Sequence, residues 1–399
     1  MHLTPEEKNL LSGKAGPAAS KAMQILETLG RIYGAERMLP INSVQISGVS
    51  YANLGEAGLA WLAEMAEGGG QAQVLTTLNP AGMDVENYQA LGIDETFAEN
   101  QRRVLAAFEK MGVVTTCSCT PYLFGNLPHF GEHIAWAESS AVCYANAVLG
   151  ARTNREGGPS ALAAALTGRT PAYGYHLDEN RQPTLHVIVK AELVTNPDFG
   201  ALGKAIGDRL QTKNDNRVPM ISGVHQASLE NLKSLCASIA TFGGVALFHI
   251  PGITPEADAY PPPSESLTLT TRDLDRVKAD LTQVGQAEVD FVSLGCPHLS
   301  LREVQRIAQL LEGKRVTKEF WITTSRPVKG MADRMGYTAL IEASGAKFAT
   351  DTCCVVAPIQ GRFRAMATDS AKACYYSAAR NHFKTRLLPF DEVVKEALQ

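Results

Sequence analysis

The feature that most restricts the fold of this chain is its alternation of helical and extended patterns over nearly its whole length. Apolar residues at three- and four-residue spacing predict helices over 18–33, 58–67, 97–111, 160–166, 231–240, 273–281 and 301–311. Short apolar runs predict extended segments over 39–49, 74–78, 113–117, 184–193, 245–250, 289–294, 320–323 and 347–350. Residues 134–149 read as one buried helix. Boundary signals agree with these spans. Thr4-Pro5-Glu6-Glu7 and Ser300-Leu301-Arg302-Glu303 are capping boxes, and Gly68 and Gly112 close the helices before them. Strand and helix alternating in this way predict α/β layers around largely parallel sheets. Pro261-Pro262-Pro263 reads as an exposed loop, and 255–268 is the candidate lobe boundary.

Composition removes several classes of function. At 399 residues, with 45% apolar and 20% charged residues, the chain is of ordinary globular make-up. Its formal charge of −4 lacks the basic footprint of a nucleic-acid binder. No run of about 18 apolar residues exists to cross a membrane. The N-terminus lacks a basic region followed by an apolar one, so the expected compartment is the cytoplasm.

Eight cysteines (117, 119, 143, 236, 296, 353, 354 and 374) are too few in a chain this long to serve as a disulfide framework. None forms a Cys-x-x-Cys pair, so a metal site would have to gather them from distant segments. In α/β folds, ligands collect beyond the carboxyl ends of strands. Cys119, Cys296 and Cys353 follow predicted strands, and Cys296 is expected at a helix N-terminus, where backbone N–H groups favour a thiolate. Cys117 and Cys354 stay open as alternative ligands. Cys143, Cys236 and Cys374 fall in helical apolar patterns and read as packing. Three thiolates on an iron–sulfur cluster leave one iron with an open position, a Lewis acid able to draw off a substrate hydroxyl. The chemistry expected is dehydration or its reverse.

The segments Gln45-Ile46-Ser47-Gly48-Val49-Ser50-Tyr51, Leu78-Asn79-Pro80-Ala81-Gly82-Met83-Asp84, Cys119-Thr120-Pro121-Tyr122-Leu123, Ile134 to Val142, Gly150 to Gly158, Gly295-Cys296-Pro297-His298 and Asp351-Thr352-Cys353 carry a family resemblance. The chain resembles the large, catalytic subunit of the aconitase X family of iron–sulfur hydro-lyases, over nearly its full length. The resemblance implies one catalytic unit over 1–399 with aconitase-like multi-lobed α/β/α layers. It implies that Cys119, Cys296 and Cys353 hold the cluster, expected to be [4Fe-4S], with two-iron and single-iron forms as alternatives. A separate swivelling domain supplies the catalytic serine in this superfamily. The chain ends soon after its last cluster cysteine, so a small partner subunit is expected.

The remaining site residues rest on the resemblance together with their chemistry. Gly48, Val49, Ser50, Asn79 and Pro80 are expected to line the substrate in turns, with Ser50 and Asn79 offering hydrogen bonds. Glu138 and Ser139, expected inside an apolar helix, are the candidate catalytic pair, because a buried carboxylate must be paired or functional. Lys372 is expected to bind an anionic group, and Arg152 and Arg155 to form a further anion site. His298 is expected to act as a donor to a cluster sulfur. The substrate is a small hydroxy acid. The family implies (R)-5-phosphomevalonate or cis-3-hydroxy-L-proline, and the split-subunit form favours the first. Two other classes compete. A nucleotide-binding oxidoreductase lacks its G-x-G-x-x-G. A non-catalytic scaffold for the small subunit would be colourless and free of iron.

Overall fold

The computed structural model describes residues 1–211 and 218–399. Strands β1 (Met38–Pro40), β2 (Ser43–Ile46), β3 (Leu75–Leu78), β4 (Ala135–Trp136) and β5 (Arg169–Pro171) belong to the first part of the chain. There β3-β2-β4 is a parallel sheet, and β1 pairs antiparallel with β5. A second parallel sheet has the order β7-β6-β8, from β6 (Leu185–Lys190), β7 (Pro219–Ser222) and β8 (Ser266–Thr270). A third, also parallel, contains β9 (Phe291–Leu299), β10 (Glu319–Thr324), β11 (Lys347–Thr350), β12 (Ala365–Thr368) and β13 (Lys384–Leu387). Its order is β11-β10-β9-β12-β13. Parallel strands require crossover connections, and helices provide most of them. The expected α/β layering is therefore present in three units. The Pro261-Pro262-Pro263 loop lies within the connection that returns to the second sheet at β8.

Local chemistry accounts for many of the boundaries. Thr4 caps the helix Pro5–Leu11 through a full capping box, and Ser300 does the same for Leu301–Leu311. Three expectations are corrected. Residues 134–149 form strand β4 and then the helix Ser139–Ala147, with Glu138 as its N-cap. Val44 and Gln45 of β2 pair with Ala135 and Trp136, and this tertiary pairing overrides an apolar run that carries no clear period. The segments 113–117 and 245–250 each reach a sheet through one isolated bridge only, Val114 to Thr77 and His249 to Met220. Strand β9 runs on to Leu299, so Cys296 lies inside a strand and not at a helix N-terminus.

The first and third units each bury an apolar core, the core of the second also takes in Trp136 and Tyr144 of the first and Cys374 of the third, and a further cluster joins the first and third. In that cluster Met83, Tyr88 and Leu91 pack with Phe291, Trp321 and Phe383. Burying one such side chain contributes roughly 1.5–3 kcal/mol, so this contact holds the two units in register. The C-terminal helix Phe390–Glu396 turns Val393 and Val394 into the core of the third unit.

Candidate active site

The three cysteines reach one cavity along separate routes. Cys119 follows a segment anchored to β3, where the Ser118 amide donates to the Leu78 carbonyl at 2.9 Å. Cys117, at φ 45, breaks the extended run and turns its side chain into the first core. Cys296 sits after Gly295, whose φ of 108° and contact with Thr323 leave no room for a side chain. Cys353 follows β11 through Asp351, itself at φ 65. Arg326 fixes that turn by bonding Asp351 and also Asp84 of the first unit. Cys354 packs in the cluster between the first and third units.

Cys119, Cys296 and Cys353 all line a cavity of about 220 Å³. The alternatives Cys117 and Cys354 do not line it. Burial pushes the thiols of Cys119 and Cys296 up to about 12, and that of Cys353 also upward; neighbouring thiols add to the rise. In place of the expected thiolate-favouring helix terminus, Cys296 has a strand position where desolvation disfavours the thiolate, and a bound cation would draw the proton off. Among the described residues, no three His, Cys, Asp or Glu side chains stand close enough together to hold a metal ion. A single zinc-like ion would need every sulfur about 2.3 Å from one centre. A multinuclear cluster gives each thiolate its own iron and so accepts a wider spacing.

Glu138, Ser139, Lys372, Gly48, Asn79 and Pro80 line the same cavity. Glu138 is held on all sides. Its Oε1 accepts from Lys372 Nζ at 2.5 Å, and its Oε2 accepts from Ser140 Oγ at 2.6 Å and the Ala141 amide at 2.7 Å. Burial alone would raise its carboxyl, but the Lys372 ammonium and these donors hold it below the usual carboxylate range. Burial opposes the charge on Lys372, but Glu138 and the thiols of Cys296 and Cys119 raise its affinity for the proton. The pair is thus an ammonium and a carboxylate beside three sulfurs. Asn79 also lines the cavity, and its Oδ1 is buried with no hydrogen-bond partner.

Other expected residues lie elsewhere. The Ser50 hydroxyl donates to the Val356 carbonyl at 3.1 Å, and Val49 packs in the first core; neither side chain lines the cavity. Arg152 is bound to Asp178 and the His176 carbonyl, away from the site, so Arg155 alone of that pair reaches it. Arg380 also lines it, on a π-helical turn Ser377–Asn381 that the sequence reading did not single out. His298 meets a sulfur with its backbone amide, which donates to Cys119 Sγ at 3.2 Å. Its imidazole ties two cysteine segments together. Nε2 donates to the Thr352 carbonyl at 2.9 Å, so Nδ1 is left to accept from Ser118 Oγ at 3.0 Å. Burial holds this ring neutral, down to about 4.

Known proteins resemble the chain throughout. Profiles of the aconitase X first, second and third domains match residues 1–179, 183–279 and 289–399. The phosphomevalonate dehydratase large subunit of Thermococcus kodakarensis is 46% identical over the full length of both chains. That of Methanocaldococcus jannaschii is 45% identical over 94% of this chain and 95% of its own. The cis-3-hydroxy-L-proline dehydratase of Pseudomonas aeruginosa is 33% identical over 93% of this chain, which spans 65% of that protein. The crystal structure of Thermococcus kodakaraensis aconitase X (holo-form) superposes with a TM-score of 0.93 at 45% identity, covering both chains completely. The three domain profiles follow one another along the chain and the solved fold matches it end to end, so the chain belongs to the aconitase X family.

Proposed function

We propose that this chain is the catalytic large subunit of a cytoplasmic iron–sulfur hydro-lyase that dehydrates (R)-5-phosphomevalonate to trans-anhydromevalonate 5-phosphate. The observation that carries the reading is the meeting of three distant thiols with the Lys372–Glu138 pair and the unpartnered Asn79 oxygen in one cavity. The relatives near 45% identity that bear the phosphomevalonate dehydratase name support the substrate over cis-3-hydroxy-L-proline, whose dehydratases lie near 33%. Their designation as large subunits supports a small partner.

The donor set fits an iron–sulfur cluster: three soft sulfurs, from Cys119, Cys296 and Cys353, line one cavity. A [4Fe-4S] cluster bound there supplies an open iron site that makes a departing hydroxide feasible. The chain's own residues bind and orient the substrate. Lys372 points one bond at Glu138, and its other N–H donors are available to the substrate carboxylate. Asn79 Oδ1 accepts from a substrate hydroxyl, which would satisfy it. The Ser139 hydroxyl, held only at 3.4 Å by Glu138, is able to swing towards the substrate. Glu138, held ionised by its own donors, keeps Lys372 in place as a charged donor. The proton on the carbon next to the carboxylate goes to a serine of the small subunit. Closure of that subunit over the cavity keeps bulk water out.

The test is anaerobic co-expression with the small subunit, followed by assays with (R)-5-phosphomevalonate and cis-3-hydroxy-L-proline in parallel. Dehydration of the first and not the second is expected. Turnover of hydroxyproline alone overturns the substrate. A colourless, iron-free complex without turnover overturns the enzyme in favour of a scaffold.

A further inference from the structure

Two guanidinium groups face the cavity without a carboxylate to answer them. Arg155 comes from the loop before the helix Gly158–Thr167 in the first unit, and Arg380 from the turn Ser377–Asn381 in the third. Both side chains line the cavity, and neither has a hydrogen-bond or ion-pair partner among the described residues. Other arginines near the first and second units are committed: Arg181 to Glu256 at 3.0 Å and Arg152 to Asp178. The one acid among the described cavity residues, Glu138, is taken by Lys372. The cavity therefore carries two positive charges in excess.

The charges are also arranged along a gradient of burial. Lys372 and Glu138 are buried beside the sulfurs, while Arg380 is half-buried and Arg155 exposed. A ligand that fits has a hydroxy-carboxylate end at the sulfurs and a second, stronger anion towards the mouth. A phosphate monoester carries about −1.5 to −2 charge at pH 7, which matches the excess. Its oxygens suit paired guanidinium forks better than they suit a lone ammonium. An amino acid such as hydroxyproline would instead bring an ammonium, for which the described lining holds no free carboxylate.

We propose that Arg155 and Arg380 form a two-guanidinium clamp on the phosphoryl group of the substrate, contributed by two different units of the chain. This rests on the phosphomevalonate reading above. The clamp sets specificity, since it acts at the end of the substrate remote from the bond that breaks. It also draws the first and third units together once the phosphoryl group is bound.

The experiment uses the cluster-loaded two-subunit complex with Arg155→Gln, Arg380→Gln, the double variant and the two lysine variants. Each glutamine variant is expected to raise KM for 5-phosphomevalonate about tenfold or more, with a much smaller fall in kcat, because the lost bonds are made equally before and during reaction. Discrimination between 5-phosphomevalonate and unphosphorylated mevalonate in kcat/KM should fall by the same factor. Lysine, which keeps the charge without the fork, should restore part of it. Visible cluster absorption should match the wild type, which separates lost substrate binding from a damaged site. An active wild-type complex beside glutamine variants of unchanged KM overturns the clamp. A wild-type complex that does not turn over 5-phosphomevalonate overturns instead the reading on which the clamp rests.

Discussion

Glu138 meets its cation, Lys372, across 234 residues of sequence, and the two are buried together. Removing one partner of such a pair leaves a charge without compensation in a dry site. Glu138→Gln is therefore expected to lower kcat by about 100-fold or more, with the fold retained by circular dichroism. Near-normal turnover would reduce Glu138 to a helix cap. The sequence singled out Glu138 because a carboxylate in an apolar stretch is costly, though the stretch proved to be a strand followed by a helix. The second prediction concerns His176. Burial, with His133 and two arginines nearby, depresses it from its ordinary 6.5 to about 3. Between those values the unfolded chain binds a proton that the folded chain refuses, so stability present above pH 6.5 is lost as pH falls. At pH 5 the loss from this group is about 2 kcal/mol. The melting temperature should drop between pH 7 and pH 5, and less so in His176→Gln. Equal drops in the two proteins would remove His176 as the cause.

At the scale of elements, strand β9 does what the sequence assigned to a helix terminus. The predicted capping box at Ser300 is present, but the strand runs to Leu299 and carries Cys296 within it. Capping chemistry is local and legible; the point at which a strand stops depends on its neighbour. Thr324 of β10 pairs with Leu299, and Thr323 Oγ1 donates to the Gly295 carbonyl at 2.7 Å, which holds the end of the strand. A Cβ at Gly295 would lie 2.1 Å from the Thr323 carbonyl oxygen, at a φ of 108° that side chains rarely adopt. Gly295→Ala is expected to cost about 3 kcal/mol or more and to abolish cluster absorption on reconstitution. A variant with full absorption and an unchanged melting temperature would show that this strand does not place Cys296.

Across the whole molecule, the first and third units are tied by Arg326, which reaches from the third to the fully buried Asp84 of the first. The tie is completed by two amide donors: the Thr350 amide donates to Asp84 Oδ2 at 2.9 Å, and the Ala81 amide donates to the Asp351 carbonyl at 2.8 Å. Arg326→Ala leaves two carboxylates facing each other with no cation between them, at a cost of about 3 kcal/mol. Hydrogen exchange should speed up at the Thr350 and Ala81 amides while the interiors of β6 and β7 stay protected. Unchanged protection at those two amides would place the tie in the apolar contact of Met83 and Leu91 with Phe291 and Trp321 alone.

The sequence by itself determined the elements and the chemistry that the chain carries. Capping boxes, glycine stops and apolar spacing act over a few residues, so the α/β alternation was legible in the sequence. The motifs that marked the family also contain the three cysteines, Asn79 and Glu138. Only the tertiary structure decided which of the eight cysteines share a cavity, that Arg155 and Arg380 face it while Arg152 does not, and that Cys296 lies within a strand. These depend on packing between segments far apart in the chain. A thiol or a guanidinium takes its character from burial and from its neighbours, and short-range propensity contains neither.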